Sequence, residues 1–194
     1  PYDVILTIRH GTGFAHKAVD RSGQRLLRPF RKSGTGECRM LFRNVVIFGA
    51  GTMGHAIALR FARGGHAVTL TDVDRDALDR AERSIRRLAG TQSEQLGGEA
   101  PESVMARLRF AEDGFGAAAG AELVVEVISE RVDIKRRFYE ELACVVSPSA
   151  LIASNTSVLD IFEHAPSVLH PQLIMAHYFV PAHIIPLVEI VGHP

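Results

Sequence analysis

Asn44-Val45-Val46-Ile47-Phe48-Gly49-Ala50-Gly51-Thr52-Met53-Gly54 is the stretch on which the fold turns. Its first five residues are mostly β-branched and apolar, which reads as a strand buried on both faces. A helix-like run from about Met53 to Arg63 follows, and Gly64-Gly65 ends it. Between strand and helix stand Gly49, Gly51 and Gly54. Gly49 permits a tight turn, Gly51 lets backbone approach a pyrophosphate, and Gly54 lets the helix pack against the sheet. The amides around Ala50, Thr52 and Met53 then face a ligand at the positive end of the helix.

Glycine spacing alone is a weak signal, and the context supplies the rest. The next strand, Ala67–Thr71, ends at Asp72, eighteen residues beyond Gly54. An acid there is positioned to accept from the adenosine ribose hydroxyls and to repel a 2′-phosphate, which favours NAD over NADP. Arg75 is the nearby cation that opposes this preference.

Outward from this core, strand-like and helix-like segments alternate. A charged helix is expected over Arg75–Leu88, with Ala77, Leu78, Ala81, Ile85 and Leu88 on one face. A polar loop over Gly90–Ala100 and a short helix opening at Pro101 follow. Strands are expected at Leu108–Ala111, Leu123–Val127, Leu151–Ala153, Leu173–Ala176 and Leu187–Val191, with helices at Val132–Val145 and Val158–His164. The pattern predicts a doubly wound, mostly parallel α/β sheet of the Rossmann type over residues 44–194. Residues 1–43 read as a poorly patterned basic extension, with a short strand at Val4–Ile8. Up to Arg39 it carries eight Lys and Arg against three acids, and Met40 is a candidate start of the natural domain.

The whole chain of 194 residues balances 22 basic against 22 acidic side chains, so no global field recruits nucleic acid or an anionic membrane. No apolar run reaches the ~18–20 residues needed to span a bilayer. Cys38 and Cys144 make no disulfide framework; Cys144 is expected in the core, and a reducing, cytoplasmic compartment follows. His164, His170, His183 and His193 lack metal-ligand spacing, so no metal site is expected.

Several further segments carry a family resemblance. They are the turn Gly49–His55, the run Leu123–Glu130 with Lys135 and Phe138, the turn Ala153–Ser157, and His177–Pro181 followed by Pro186–Glu189. With these, the chain resembles the N-terminal NAD-binding domain of the 3-hydroxyacyl-CoA dehydrogenases from Asn44 to its end. The resemblance implies hydride transfer between NAD and the 3-hydroxyl or 3-keto group of a 3-hydroxyacyl-CoA. It makes His177 the general base or acid, a role suited to a side chain titrating near neutrality. Glu189 would fix its tautomer and stabilise the imidazolium. Ser157 would stand near the nicotinamide and the substrate oxygen, and Glu130 and Lys135 would line the cofactor site. Ser84–Arg87 resembles a segment that meets the coenzyme A moiety.

Two departures matter. Val180 stands where the family usually has Asn. The chain stops at Pro194, where the family's helical C-terminal domain would begin, and with it the dimer interface and much of the acyl-CoA cleft. The expectation is therefore a fragment that binds NAD and turns over poorly. Two other readings fit the same residues: a dehydrogenase of free 3-hydroxy acids, like the carnitine or gulonate enzymes, and a non-catalytic NAD-binding structural protein.

Overall fold

The structure is a computed structural model that describes residues 5–10, 13–15, 42–96, 99–185 and 187–193. Chain order gives β1 Ile5–His10, β2 Gly13–Ala15, β3 Asn44–Phe48, α1 Thr52–Arg63, β4 Ala67–Thr71, α2 Arg75–Leu96, α3 Pro101–Met105, β5 Leu108–Ala111 and α4 Gly114–Ala118. There follow β6 Leu123–Glu126, α5 Val132–Val145, β7 Leu151–Ser154, β8 Leu173–Tyr178 and β9 Leu187–Gly192.

The strand order is β2-β1-β9-β8-β7-β6-β3-β4-β5. From β8 to β5 every neighbouring pair is parallel, and β9 runs antiparallel to β8. The expected doubly wound, mostly parallel sheet is therefore present. The chain winds outward from β3 through β4 to β5, then returns to place β6 on the other side of β3. Such a reversal opens a crevice at the carboxyl ends of β3 and β6, where doubly wound folds take their ligands. At the far edge, β1 lies parallel to β9 and β2 antiparallel to β1. The expected strand at Val4–Ile8 is met from Ile5 onward; Val4 lies outside the described residues, as do Cys38 and Met40.

Strand alternation splits the core into two layers. Val45 and Ile47 face a layer with Ile57, Leu59, Leu70, Leu78 and Ile85. Val46 and Phe48 face the other, with Val124, Phe138, Tyr139, Leu142 and Ile152. The apolar β3 quoted above thus feeds both faces of the sheet.

Several expectations are corrected. Helix α2 continues through the expected loop to Leu96, where Ala89 is buried and its carbonyl accepts from Arg63 of α1 at 3.2 Å. A glycine at position 90 costs only about 1 kcal/mol in a helix already anchored this way. Within the span expected as a helix, Val158–His164, the structure has a 3₁₀ turn, Ile161–Glu163, and a second 3₁₀ turn, Ser167–Gln172, follows beyond it; Pro166 between them and Pro171 in the second remove amide donors. The strand expected at Leu123–Val127 ends one residue sooner, at Glu126. Helix α4 lay hidden in a Gly/Ala stretch, where Asp113 caps it by accepting from Gly116 N. Cys144 is exposed, not part of the core.

Candidate active site

The crevice is lined first by the glycine turn. Gly49 has φ +105°, and a Cβ there would lie 2.5 Å from Val127 O, so the end of β3 abuts the end of β6. A Cβ on Gly54 would lie 1.8 Å from Gly49 O. A Cβ on Gly51, by contrast, would meet nothing within 4 Å. Two glycines close the turn on the protein and the third leaves its outer face open. Helical bonding in α1 begins with His55 N donating to Gly51 O, so the amides of Thr52 to Gly54 are those left over at a helix start. Asp72 completes this side. Its Oδ2 accepts from Ala50 N at 2.7 Å and its Oδ1 from Asp74 N at 3.0 Å, so Ala50 joins the site through Asp72. An open cradle of helix-end amides with a fixed carboxylate beside it fits a dinucleotide.

A cleft of about 340 Å³ continues from this turn; Gly51, Thr52, Met53, Glu130, Lys135, Ser157, His177 and Val180 are among its lining residues. Residues from β3–α1, the β6–α5 connection, the turn after β7 and β8 thus converge on one space. His177 on β8 pairs in register with Glu189 on β9. Their side chains share one face, with Nδ1 3.7 Å from Oε2. That separation is longer than a hydrogen bond and leaves the two groups facing each other across the strand pair. The Phe179 ring, 4.8 Å away by centroids, flanks the imidazole.

Glu130 accepts from Thr156 Oγ1 at 3.0 Å and from Ser157 N at 3.3 Å, which holds Ser157 at the cleft. Lys135 is no solvated helix residue: it is 1% exposed, and its Nζ lies 2.6 Å from Glu126 Oε1 and 3.5 Å from Glu130 Oε2. In the sequence Glu126 stands only as part of an expected strand. The available signal was a carboxylate interrupting the otherwise apolar run Leu123–Val127. Arg60, which no sequence motif marks, donates from α1 to Ala182 O and Ile185 O, tethering the segment that follows Val180. Val180 is 66% exposed at the cleft.

The tyrosines near the cleft stay protonated. Burial pushes the Tyr178 phenol up to about 12, with Arg60 pulling weakly the other way. Burial first, and the Glu126 carboxylate second, raise Tyr139 well above its ordinary value. Burial lowers His183, helped by the neighbouring His55 and Arg63 side chains.

The parallel sheet, the glycine cradle with Asp72, and the cleft at the sheet's reversal define a dinucleotide-binding Rossmann domain. A family model described as 3-hydroxyacyl-CoA dehydrogenase, NAD binding domain, matches residues 44–194. The chain belongs to this family, and its cofactor is NAD. It is 35% identical over 153 residues to 5-formyl-3-hydroxy-2-methylpyridine 4-carboxylate 5-dehydrogenase of Mesorhizobium japonicum, covering 78% of this chain and 49% of that protein. It is 36% identical over 153 residues to 3-hydroxyadipyl-CoA dehydrogenase of Escherichia coli, covering 77% and 32%. Its fold matches the crystal structure of 3-hydroxybutyryl-CoA dehydrogenase from Escherichia coli with a TM-score of 0.73 at 33% identity, over 79% of this chain and 33% of that one. The chain spans half or less of the length of these relatives. Among the described residues, no helix is long and apolar enough to cross a membrane.

Proposed function

We propose that this chain is the NAD-binding, proton-transferring part of a dehydrogenase that interconverts a 3-hydroxyacyl-CoA and its 3-keto form. The observation that carries the proposal is a histidine beside a carboxylate in the same cleft as the glycine turn: His177 Nδ1 is 3.7 Å from Glu189 Oε2, and His177, Gly51 and Thr52 line one space. NAD, when bound, supplies the acceptor for the hydride. With Nδ1 turned to Glu189, Nε2 is the nitrogen left to take the substrate hydroxyl proton, and to return it in the reducing direction. Glu189 fixes that tautomer and steadies the positive charge the ring acquires. The Ser157 hydroxyl, on a residue whose backbone amide donates to Glu130, donates to the substrate oxygen. Gly51 and the amides of Thr52 and Met53 bind the diphosphate, and Asp72 selects the unphosphorylated ribose.

A second reading, oxidation of a free 3-hydroxy acid, draws on Val180. An apolar side chain at the cleft removes an amide that would otherwise hydrogen-bond there, and the Mesorhizobium relative is named for a substrate that is not a thioester. The proposal includes a cytoplasmic location, supported by the exposed thiol of Cys144, and dimerisation through parts that the longer relatives possess.

The test follows NADH absorbance with the intact gene product. Oxidation of 3-hydroxybutyryl-CoA, against little oxidation of free 3-hydroxy acids, is expected; the opposite preference establishes the second reading. His177→Ala is expected to lose about 10²–10⁴ in kcat, and an unimpaired variant removes His177 from the reaction.

A further inference from the structure

The cleft floor holds a buried polar cluster for which the proposed reaction has no step. Glu126, Tyr139 and Ser154 are 0% exposed and Lys135 1%. A carboxylate at the end of a buried parallel strand costs several kcal/mol unless donors satisfy it. Four donors converge on this one. Lys135 Nζ and Ile128 N donate to Oε1 at 2.6 and 3.0 Å; Ser154 Oγ and Tyr139 OH donate to Oε2 at 2.6 and 2.9 Å.

The connections continue into the turn Ser154-Asn155-Thr156-Ser157. Glu126 holds its first residue by the side chain, and the Glu126 carbonyl accepts from Asn155 N at 2.8 Å. Glu130 holds the other end through Thr156 and Ser157. Lys135 reaches both carboxylates, so one ammonium joins the two groups that grip the turn. In the middle, Asn155 Oδ1 accepts from Tyr178 N at 2.9 Å. Tyr178 is the residue after His177, so the turn is tied to the strand that carries the imidazole.

We infer that Glu126 is a positioning residue: through Ser154 and Asn155 it sets where Ser157 and His177 stand in the cleft. This rests on the function proposed above for His177 and Ser157. Stability alone does not require such a cluster, because well-packed apolar side chains often replace buried ion pairs with no loss. What apolar side chains cannot do is fix a polar turn by direction, and here the bonds run from α5 through β6 into the turn and on to β8.

The test compares two variants that each remove one hydroxyl from the same Glu126 oxygen. Ser154→Ala cuts the side-chain link from Glu126 to the turn, leaving the Glu126 carbonyl bond to Asn155 N, whereas Tyr139→Phe removes a donor on α5 and leaves both links to the turn. In both, the His177 imidazole is followed by NMR through the neutral pH range without coenzyme, and NAD affinity is measured by calorimetry. Ser154→Ala is expected to displace the His177 resonances and titration midpoint and to weaken NAD binding about tenfold, as small misplacements of a site do. Tyr139→Phe is expected to lower Tm and leave His177 and NAD affinity at wild-type values. The inference is overturned if Ser154→Ala leaves His177 unmoved, or if Tyr139→Phe moves it as far. Should Ser154→Ala not fold, Asn155→Ala and Asn155→Asp address the last link. Ala removes the acceptor for Tyr178 N and must displace His177; Asp keeps it and must not, and equal behaviour of the two overturns the inference. The imidazole measurement stands without coenzyme. Failure of the wild-type chain to bind NAD therefore counts against the proposed function and not against this positioning.

Discussion

Single residues decide whether the cradle exists. A methyl on Gly54 meets the Gly49 carbonyl oxygen at 1.8 Å, and that oxygen is backbone with no freedom to move aside. Gly54→Ala is therefore expected to cost about 1–3 kcal/mol and to abolish NAD binding, read from urea midpoints and calorimetry; wild-type values in both contradict the packing described here. The role proposed for Asp72 combines charge with hydrogen bonding. Removing a charged acceptor worth about 1.5–3 kcal/mol predicts that Asp72→Ala loses at least about tenfold of its preference for NAD over NADP in a competition titration, and an unchanged ratio excludes Asp72 from the ribose. These residues were legible because each chemistry is announced locally: glycines at fixed offsets, an acid at a strand end, a histidine and a glutamate bracketing a hairpin-like return. Glu126 was not, because its partners Lys135, Tyr139 and Ser154 lie 9, 13 and 28 residues away. Only the fold brings them together.

Elements are held in place by contacts that outlast any one side chain. Between α1 and β5, Arg107 forms a two-pronged pair with Glu99, at 2.6 and 2.7 Å, and also donates to Ala62 O at the end of α1. The Arg107 guanidinium holds the Glu99 carboxyl below the usual carboxylate range. A depressed carboxylate stabilises the fold above its unfolded pKa and stops doing so as pH falls through the folded value. Glu99→Gln is thus expected to lower stability at neutral pH by about 0.5 kcal/mol, small because the pair is about one-third exposed and screened. The difference from wild type should vanish below the acid range in which Glu99 protonates; thermal melts at neutral and acid pH check this, and a gap that persists in acid assigns the effect to packing. Period and composition located β3, β4, α1 and α5 well, since each is bounded by glycine, aspartate or proline. The end of α2 and the 3₁₀ turns after β7 escaped, because polar residues with moderate helix propensity take their state from neighbours that sequence does not display.

At the scale of the molecule, one strand reversal places the glycine turn, the serine-bearing turn and the His177–Glu189 pair around a common cleft. Topology was readable from alternating apolar runs, but the convergence of four connections was not, since it follows from the order β8-β7-β6-β3. The cradle lies entirely within residues 44–194, the match to the NAD-binding domain. Calorimetric titration of the 194-residue chain with NAD and, in parallel, NADP is the most direct test. The account predicts one NAD bound per chain and much weaker NADP; no heat with NAD, or equal affinity for both, contradicts it.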